Sequence, residues 1–204
     1  MENIQSYITA SCAIKNGKVF KNEKIIFENI EDTLSSFFVS IYKNFEMQYP
    51  KFYKMDMLSK LGWLAAEILL KNNFDTQKYK ADEVAIILAN TNASIDTDTK
   101  YFETIKDIAS PALFVYTLPN IVIGEISIKH NFKGENAFFI SEKFDPIFLK
   151  NYVQNLIINN NLQACICGWV ELVKEDYNAT LFLIEKEQNN IKFTAENLNK
   201  IYAL

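Results

Sequence analysis

Hydrophobic and polar positions alternate along this chain in blocks of two kinds, short β-rich runs and longer stretches of helical period. Residues 4–13 and 18–27 are β-rich and separated by Asn16-Gly17, a pair that favours the tight turn between neighbouring strands. A hairpin or two adjacent strands are expected there. Leu58, Leu61, Leu64, Ala65, Ile68 and Leu69 recur at helical spacing, with Asp56 near the start and Lys71 followed by asparagines at the end, which predicts a helix over about 55–72. EVAIILAN (83–90) is an uninterrupted apolar run closed by polar NTNASIDTDT. It reads as a buried central strand, then a capping loop and a helix to about Ile108.

Asp145-Pro146 places an N-cap before a proline at the first helical position, the order that opens a helix. Phe148, Tyr152, Val153, Leu156 and Ile157 form its apolar stripe, and the polar run Asn159–Asn161 closes it. LQACICGWVELV (162–173) and ATLFLIEKE (179–187) are two further β-rich runs joined by KEDYN, and the tail from Thr194 suits a short helix. NIVIGEISIKHNF (120–132) fits neither kind of block: its β-branched residues favour a strand and its periodicity does not decide.

Strands alternating with helices indicate an α/β layered architecture. At 204 residues with 49% hydrophobic and 23% charged positions, the chain suits one packed domain, 1–204, and excludes a disordered or fibrous protein. Sixteen Phe and ten Tyr make the core or an interface rich in aromatic side chains. A net charge of −4 offers no basic field for a phosphate backbone, so nucleic acid is not an expected partner. Nothing approaches eighteen consecutive apolar residues and no secretion signal opens the chain. Three cysteines, an odd number, point to reduced thiols, and a soluble cytoplasmic protein is expected. One histidine in the chain argues against a zinc site. No Gly-rich phosphate loop is present and no cofactor is expected.

Residues 111–136, PALFVYTLPNIVIGEISIKHNFKGEN, resemble a stretch of the β-ketoacyl synthases, members of the thiolase superfamily. In that family a Pro-Asn pair begins a helix, and a Gly-Pro-Asn turn leads into the strand before the active-site cysteine. The matching pieces are Pro119-Asn120, Ile121 to Ile128, and Gly134-Glu135-Asn136. The helix at 55–72, the strand EVAIILAN and the later ACICGWVEL follow in the family's order. The last of these resembles the strand ending in Gly-Gly-x-Glu, here decayed to Gly168-Trp169-Val170-Glu171. The resemblance covers most of residues 1–187. It implies half of a thiolase-like fold, a mixed five-stranded sheet with helices on both faces, and it implies that 120–132 is helical.

It also implies a degenerate nucleophile region at Ser141, Glu142, Lys143 and Asp145. The family's cysteine position falls at or beside Lys143, and no cysteine lies between Cys12 and Cys165. A condensing enzyme needs a thiolate at a helix amino terminus, where backbone N–H groups lower its pKa and form an oxyanion hole. The family's two catalytic histidines come from a second half that this chain is expected to lack, and His130 lies in another segment. The resemblance points to the short chain-length-factor-like subunit of bacterial type II polyketide pathways, including those for aryl-polyene and flexirubin pigments. The implied function is a non-catalytic subunit paired with an active condensing enzyme in fatty-acid- or polyketide-type pigment biosynthesis. The implied partners are a full-length ketoacyl synthase or a second copy of this chain, and acyl carrier protein.

Ala137, Phe138, Phe139 and Ile140 form the strand expected at a dimer interface, because in thiolase-like enzymes the strand before the nucleophile pairs across a two-fold axis. The alternative is a strand buried within the monomer. Lys143 could hold a carrier-protein phosphate or simply be solvated. Cys165 and Cys167, two apart on a strand, share one face with Ile166 on the other, as a thiol pair or as small core residues. His130 reads as structural. Glu171, Glu175, Asp96 and Asp98 sit in or near expected loops and read as solvated. The rival functions are a divergent thioester hydrolase or acyltransferase using Cys165, Ser141 or Lys143, and a homodimeric module binding an acyl or aromatic ligand.

Overall fold

The computed structural model describes residues 5–29, 33–75, 77–159, 162–186 and 189–204. Ile4, Asn160, Asn161 and Glu187, which bound three of the expected elements, lie outside the described residues. Seven strands form one sheet in the order β3-β2-β1-β7-β6-β4-β5. They are β1 (Tyr7–Lys15), β2 (Lys18–Lys21), β3 (Lys24–Glu28), β4 (Val84–Asn90), β5 (Asn136–Ile140), β6 (Ala164–Val173) and β7 (Asp176–Glu185). β4 runs parallel to β5 and β6, and every other neighbouring pair is antiparallel.

The sheet is mixed, as expected, but has seven strands where five were expected. The run at 18–27 folds back on itself at Asn22-Glu23, both with positive φ (48° and 67°), and so supplies two strands. KEDYN is not a linker either. β6 and β7 run to within two residues of each other, and the turn is Lys174-Glu175 with Lys174 at φ 56°.

Helices cover both faces. On one face α1 (Leu34–Asn44), α2 (Met57–Leu70) and α5 (Ile121–His130) pack on the sheet, and on the other α6 (Pro146–Asn159) and α7 (Ala195–Tyr202). Strand alternation divides the core accordingly. Ile86, Leu88, Ile166 and Val170 face the α2 side, while Ile87, Ala89, Cys165, Cys167 and Trp169 face the α6 side. α2 is buried almost all round, with Trp63, Leu64, Ala65 and Ala66 fully enclosed between sheet and outer helices, as a helix apolar on every side must be. Asp56 caps it by accepting from Ser59 N–H at 3.0 Å. Its other carboxylate oxygen accepts from Thr97 Oγ1 at 2.8 Å, tying α2 to α3 (Ile95–Thr104), which ends four residues before Ile108 and is followed by the short α4 (Pro111–Val115).

Residues 121–130 are helical despite their β-branched side chains. Val122, Ile123 and Ile126 are buried on one stripe against the α2 layer, and this packing outweighs local propensity. Asn131 closes α5 in the left-handed region at φ 58°. Gly134 then crosses the start of β4 so closely that a Cβ would lie 2.4 Å from the Val84 carbonyl oxygen. The glycine that begins the Gly-Glu-Asn turn is therefore required by space. Gly168 is constrained too: its φ is +153° and a Cβ would stand 2.1 Å from the Thr180 carbonyl oxygen.

Candidate functional site

β4, β5 and β6 are parallel, so their carboxyl ends share one end of the sheet, the place where open α/β sheets bind ligands. β5 leads there into α6 (Pro146–Asn159) through Ser141–Asp145. Ser141 N–H continues the ladder by donating to the Asn90 carbonyl at 2.9 Å, and its hydroxyl donates to the Lys143 carbonyl at 3.2 Å. Glu142 and Lys143 are exposed. Phe144 turns inward and stacks on Tyr202 with ring centroids 4.1 Å apart.

Asp145 sits at the start of α6. Its Oδ1 accepts from the N–H groups of Ile147 and Phe148 at 3.0 and 2.9 Å. A helix amino terminus has a small set of unpaired N–H donors; here two of them already hold a carboxylate of the chain itself. In a thiolate enzyme those donors would stabilise the thiolate and the oxyanion. The position at or beside Lys143 supplies an ammonium group and the Ser141 hydroxyl, which is hydrogen-bonded locally to the Lys143 carbonyl.

The adjoining β4–α3 loop is held from two sides. Asn90, fully buried, donates through Nδ2 to the Ala93 carbonyl at 2.8 Å and accepts Ala93 N–H at 2.9 Å. Glu171 Oε2 accepts from Thr91 N–H at 2.6 Å and Asn92 N–H at 3.3 Å, and Thr91 Oγ1 donates to the Glu142 carbonyl at 3.2 Å. Glu171 is thus on β6 as a clamp, and the reading of it as a solvated loop carboxylate is corrected. Sequence spacing could not find this, since Thr91 lies 80 residues away. Burial first, then the Glu171 carboxylate, raises the pKa of the nearby Tyr202 phenol.

Asp96 and Asp98 also have partners and are not simply solvated. Asp98 lies beside Ser94 Oγ at 3.3 Å. Asp96 pairs with Lys100 at 2.8 Å and accepts Lys174 N–H at 3.1 Å. Glu175 lies in the turn between β6 and β7.

Cys165 and Cys167 are both fully buried on the α6 side of the sheet. Burial, and then the neighbouring Cys165, pushes the Cys167 thiol well above its usual range. Burial pushes Cys12 up to about 12, against a smaller opposing effect of Lys21. His130, the single histidine of the chain, lies at the carboxyl end of α5, near the start of β4 and away from Ser141–Asp145. It pairs there with Glu67 at 2.5 Å. Glu67 was not singled out by sequence, being 63 residues from His130.

β5 is an edge strand. The Glu135 carbonyl accepts from Ile86 and Ser141 N–H donates to Asn90, so odd-numbered backbone groups face β4. The N–H and C=O groups of Asn136, Phe138 and Ile140 therefore point to the open side, because backbone direction alternates along a strand. Ala137 and Phe139 pack on the α6 side and Phe138 on the α2 side. Ile140, Ile147 and Phe148 are 55%, 65% and 39% exposed around the same corner. The opposite edge, β3, carries Lys24 and Glu28 and pairs with β2 through an irregular register, features that discourage further pairing. β5 has neither.

No family model matches the chain, and no curated protein matches it by sequence. Solved structures do match. The ishigamide ketosynthase/chain length factor aligns with a TM-score of 0.63 and 16% identity over 89% of this chain and 62% of that one. The fold is that of the ketosynthases. A chain from the complex of a type II polyketide acyl-carrier protein with its ketosynthase bound to the hexaketide aligns with a TM-score of 0.61, also at 16% identity and over 62% of that chain. The chain thus spans less than two-thirds of these two ketosynthase-fold chains. A chain from the complex of a ketosynthase (ApeO) with its chain length factor (ApeC) from Xenorhabdus doucetiae matches with a TM-score of 0.60 and 11% identity. That match covers 98% of this chain and 90% of the other. No helix among the described residues is long and apolar enough to cross a membrane.

Proposed function

We propose that this chain is a non-catalytic, chain-length-factor-like subunit that pairs through β5 with a cysteine-bearing ketosynthase in polyketide-type biosynthesis. The observation that carries the proposal is the start of α6. Asp145 occupies two of the N–H groups that a condensing enzyme would direct at its thiolate and oxyanion, and no thiol stands beside them. The open, uncharged edge of β5 lies next to it, with Ile140, Ile147 and Phe148 exposed, and an unpaired apolar edge is stabilised by a second strand. The likeness to chains from ketosynthase complexes fits this reading. The pigment class of the product and a shared carrier protein belong to the same proposal. The thioester-hydrolase alternative loses support from the burial of Cys165.

Co-expression with a neighbouring cysteine-bearing ketosynthase and its carrier protein, followed by affinity purification and native mass spectrometry, tests the proposal. A one-to-one complex with the synthase is expected. A stable dimer of this chain alone, with the synthase eluting separately at micromolar concentration, would replace it with self-pairing at the same edge.

A further inference from the structure

The segment between α3 and α5 turns apolar side chains outward. Phe102 in α3, Ile105 and Ile108 after it, and Phe114, Val115 and Leu118 in and after α4 are 47–85% exposed. Tyr101 of α3 lies against Phe114 with ring centroids 5.4 Å apart, so the two helices present one surface. Apolar side chains grouped in this way mark a surface that another chain covers.

α4 cannot hold itself there. It has five residues, none of them buried, and a helix that short is not stable alone. Two hydrogen bonds tie its end to the body of the domain. Ser94 Oγ donates to the Thr117 carbonyl at 2.6 Å, and Tyr116, which caps α4, donates its phenol to Glu125 Oε1 on α5 at 3.0 Å. Glu125 is only 3% exposed, and its Oε2 pairs with Lys51 Nζ of the 3₁₀ helix Pro50–Lys54 at 2.9 Å.

A carboxyl group enclosed beside Val122, Ile123 and Ile126 is costly for the core, which an apolar side chain of similar volume would fill as well or better. What the carboxyl adds is a directional acceptor for Tyr116. Burial first, then Glu125, raises the phenol pKa, so Tyr116 stays protonated and donates, and a carboxyl oxygen accepts in either protonation state. The other tie leads toward β5: Ser94 belongs to the β4–α3 loop, whose Thr91 Oγ1 meets the Glu142 carbonyl beside the corner at Ile140.

We propose that Glu125 is a positioning residue: through Tyr116 it fixes the stance of α4, and with it an apolar surface that the partner synthase covers next to β5. This role rests on the proposed pairing with a ketosynthase.

The test uses the full chain and the co-expressed synthase. Amide exchange at Phe114, Tyr116 and Thr117, whose N–H groups bond within the turns of α4, reads the stance of α4 without the partner. Sedimentation velocity reads synthase affinity at 25 °C, with each variant confirmed folded by circular dichroism. Tyr116→Phe should speed exchange at these amides and weaken pairing by about three- to tenfold, the worth of one hydrogen bond. Glu125→Leu should do the same, while Glu125→Gln, which keeps an oxygen acceptor for the phenol, should restore both readouts. Leu118→Ser, on the exposed surface itself, should weaken pairing and leave exchange and melting temperature as in wild type. A bond that only supported the fold would lower the melting temperature and leave the affinity of the folded protein alone. The role of Glu125 is refuted if Tyr116→Phe and Glu125→Leu leave exchange in α4 as slow as in wild type, or if both pair with wild-type affinity. A wild-type chain that does not pair with the synthase would overturn the proposed function and this role with it, so the two failures are told apart. Tyr116→Phe removes a single oxygen, and it keeps the test decisive should Glu125→Leu fail to fold.

Discussion

Two neighbouring proline substitutions on β5 separate the strand's two edges. Phe139 N–H lies on the β4 side, and its ring packs edge-on against Phe148 and Tyr152 with centroids 4.9 Å apart. Phe139→Pro removes a ladder donor, at about 1–3 kcal/mol, and a partly buried ring, at up to about 3–5 kcal/mol. That sum is comparable with the whole stability of a domain, about 5–15 kcal/mol, so this variant should unfold or express poorly. Ile140 N–H faces the open side, and its side chain is already 55% exposed. Ile140→Pro therefore forfeits no internal hydrogen bond and only about 1 kcal/mol of apolar burial, lowering the melting temperature by roughly 2–4 °C. The residue before it is already extended, as a following proline requires. At a paired edge, however, the missing donor leaves an opposing carbonyl unsatisfied, about 1–3 kcal/mol, which is roughly a 5- to 150-fold weaker complex. Circular dichroism melts and sedimentation velocity with the partner synthase measure the two effects. An Ile140→Pro protein that folds and still pairs with wild-type affinity would refute the assignment of β5 as the interface.

Three other outcomes are expected. None of Cys12, Cys165 and Cys167, each at most 1% exposed, should react with iodoacetamide at neutral pH in the native protein, while all three should react in urea; fast native labelling of Cys165 would restore it as a nucleophile. Asp145→Ala leaves Ile147 and Phe148 N–H without their acceptor and should cost about 1 kcal/mol, or roughly 2–4 °C in melting temperature; an unchanged melt would show the cap to be idle. For Asp96, burial raises the pKa, but hydrogen bonds from the Lys100 ammonium and the Lys174 amide outweigh it and hold the carboxyl below its ordinary 3.8. The folded state then binds fewer protons than the unfolded one, so the stabilisation is present above that value and is lost as pH falls through the lowered one. Asp96→Asn should melt below wild type at pH 7, and the difference should close in strong acid; a gap that persists there would assign the effect to packing.

Elements whose signals are local were legible in the sequence. Asp56 and the leucine spacing marked a helix at 55–72, observed at Met57–Leu70. EVAIILAN became a strand buried at every position, and Asp145-Pro146 opened a helix at Pro146. α1 carries such a signal as well, with Thr33 as N-cap and Leu34, Phe37, Phe38, Ile41 and Tyr42 at helical spacing, and it went unread. Residues 121–130, where propensity favours a strand, are helical through burial against a layer built from distant parts of the chain. The number of strands turned on two left-handed residues, Asn22 and Glu23.

The site divides along the same line. That Asp145 would cap a helix could be read from two adjacent residues. That the cap lies beside the β4–α3 loop became apparent only once α6, β5 and that loop stood together at one end of the sheet. Glu171 makes the point most sharply. Its carboxylate holds the Thr91 and Asn92 amides, and that loop in turn meets the Glu142 carbonyl. On the proposed function this rigidity has a use. A subunit that presents this end to a partner beside an open strand gains from it, because an interface built on preorganised backbone loses less conformational entropy on binding. The clamp by Glu171 and the cap by Asp145 are thus consistent with one role: holding the corner at Ile140, Ile147 and Phe148 ready to be covered.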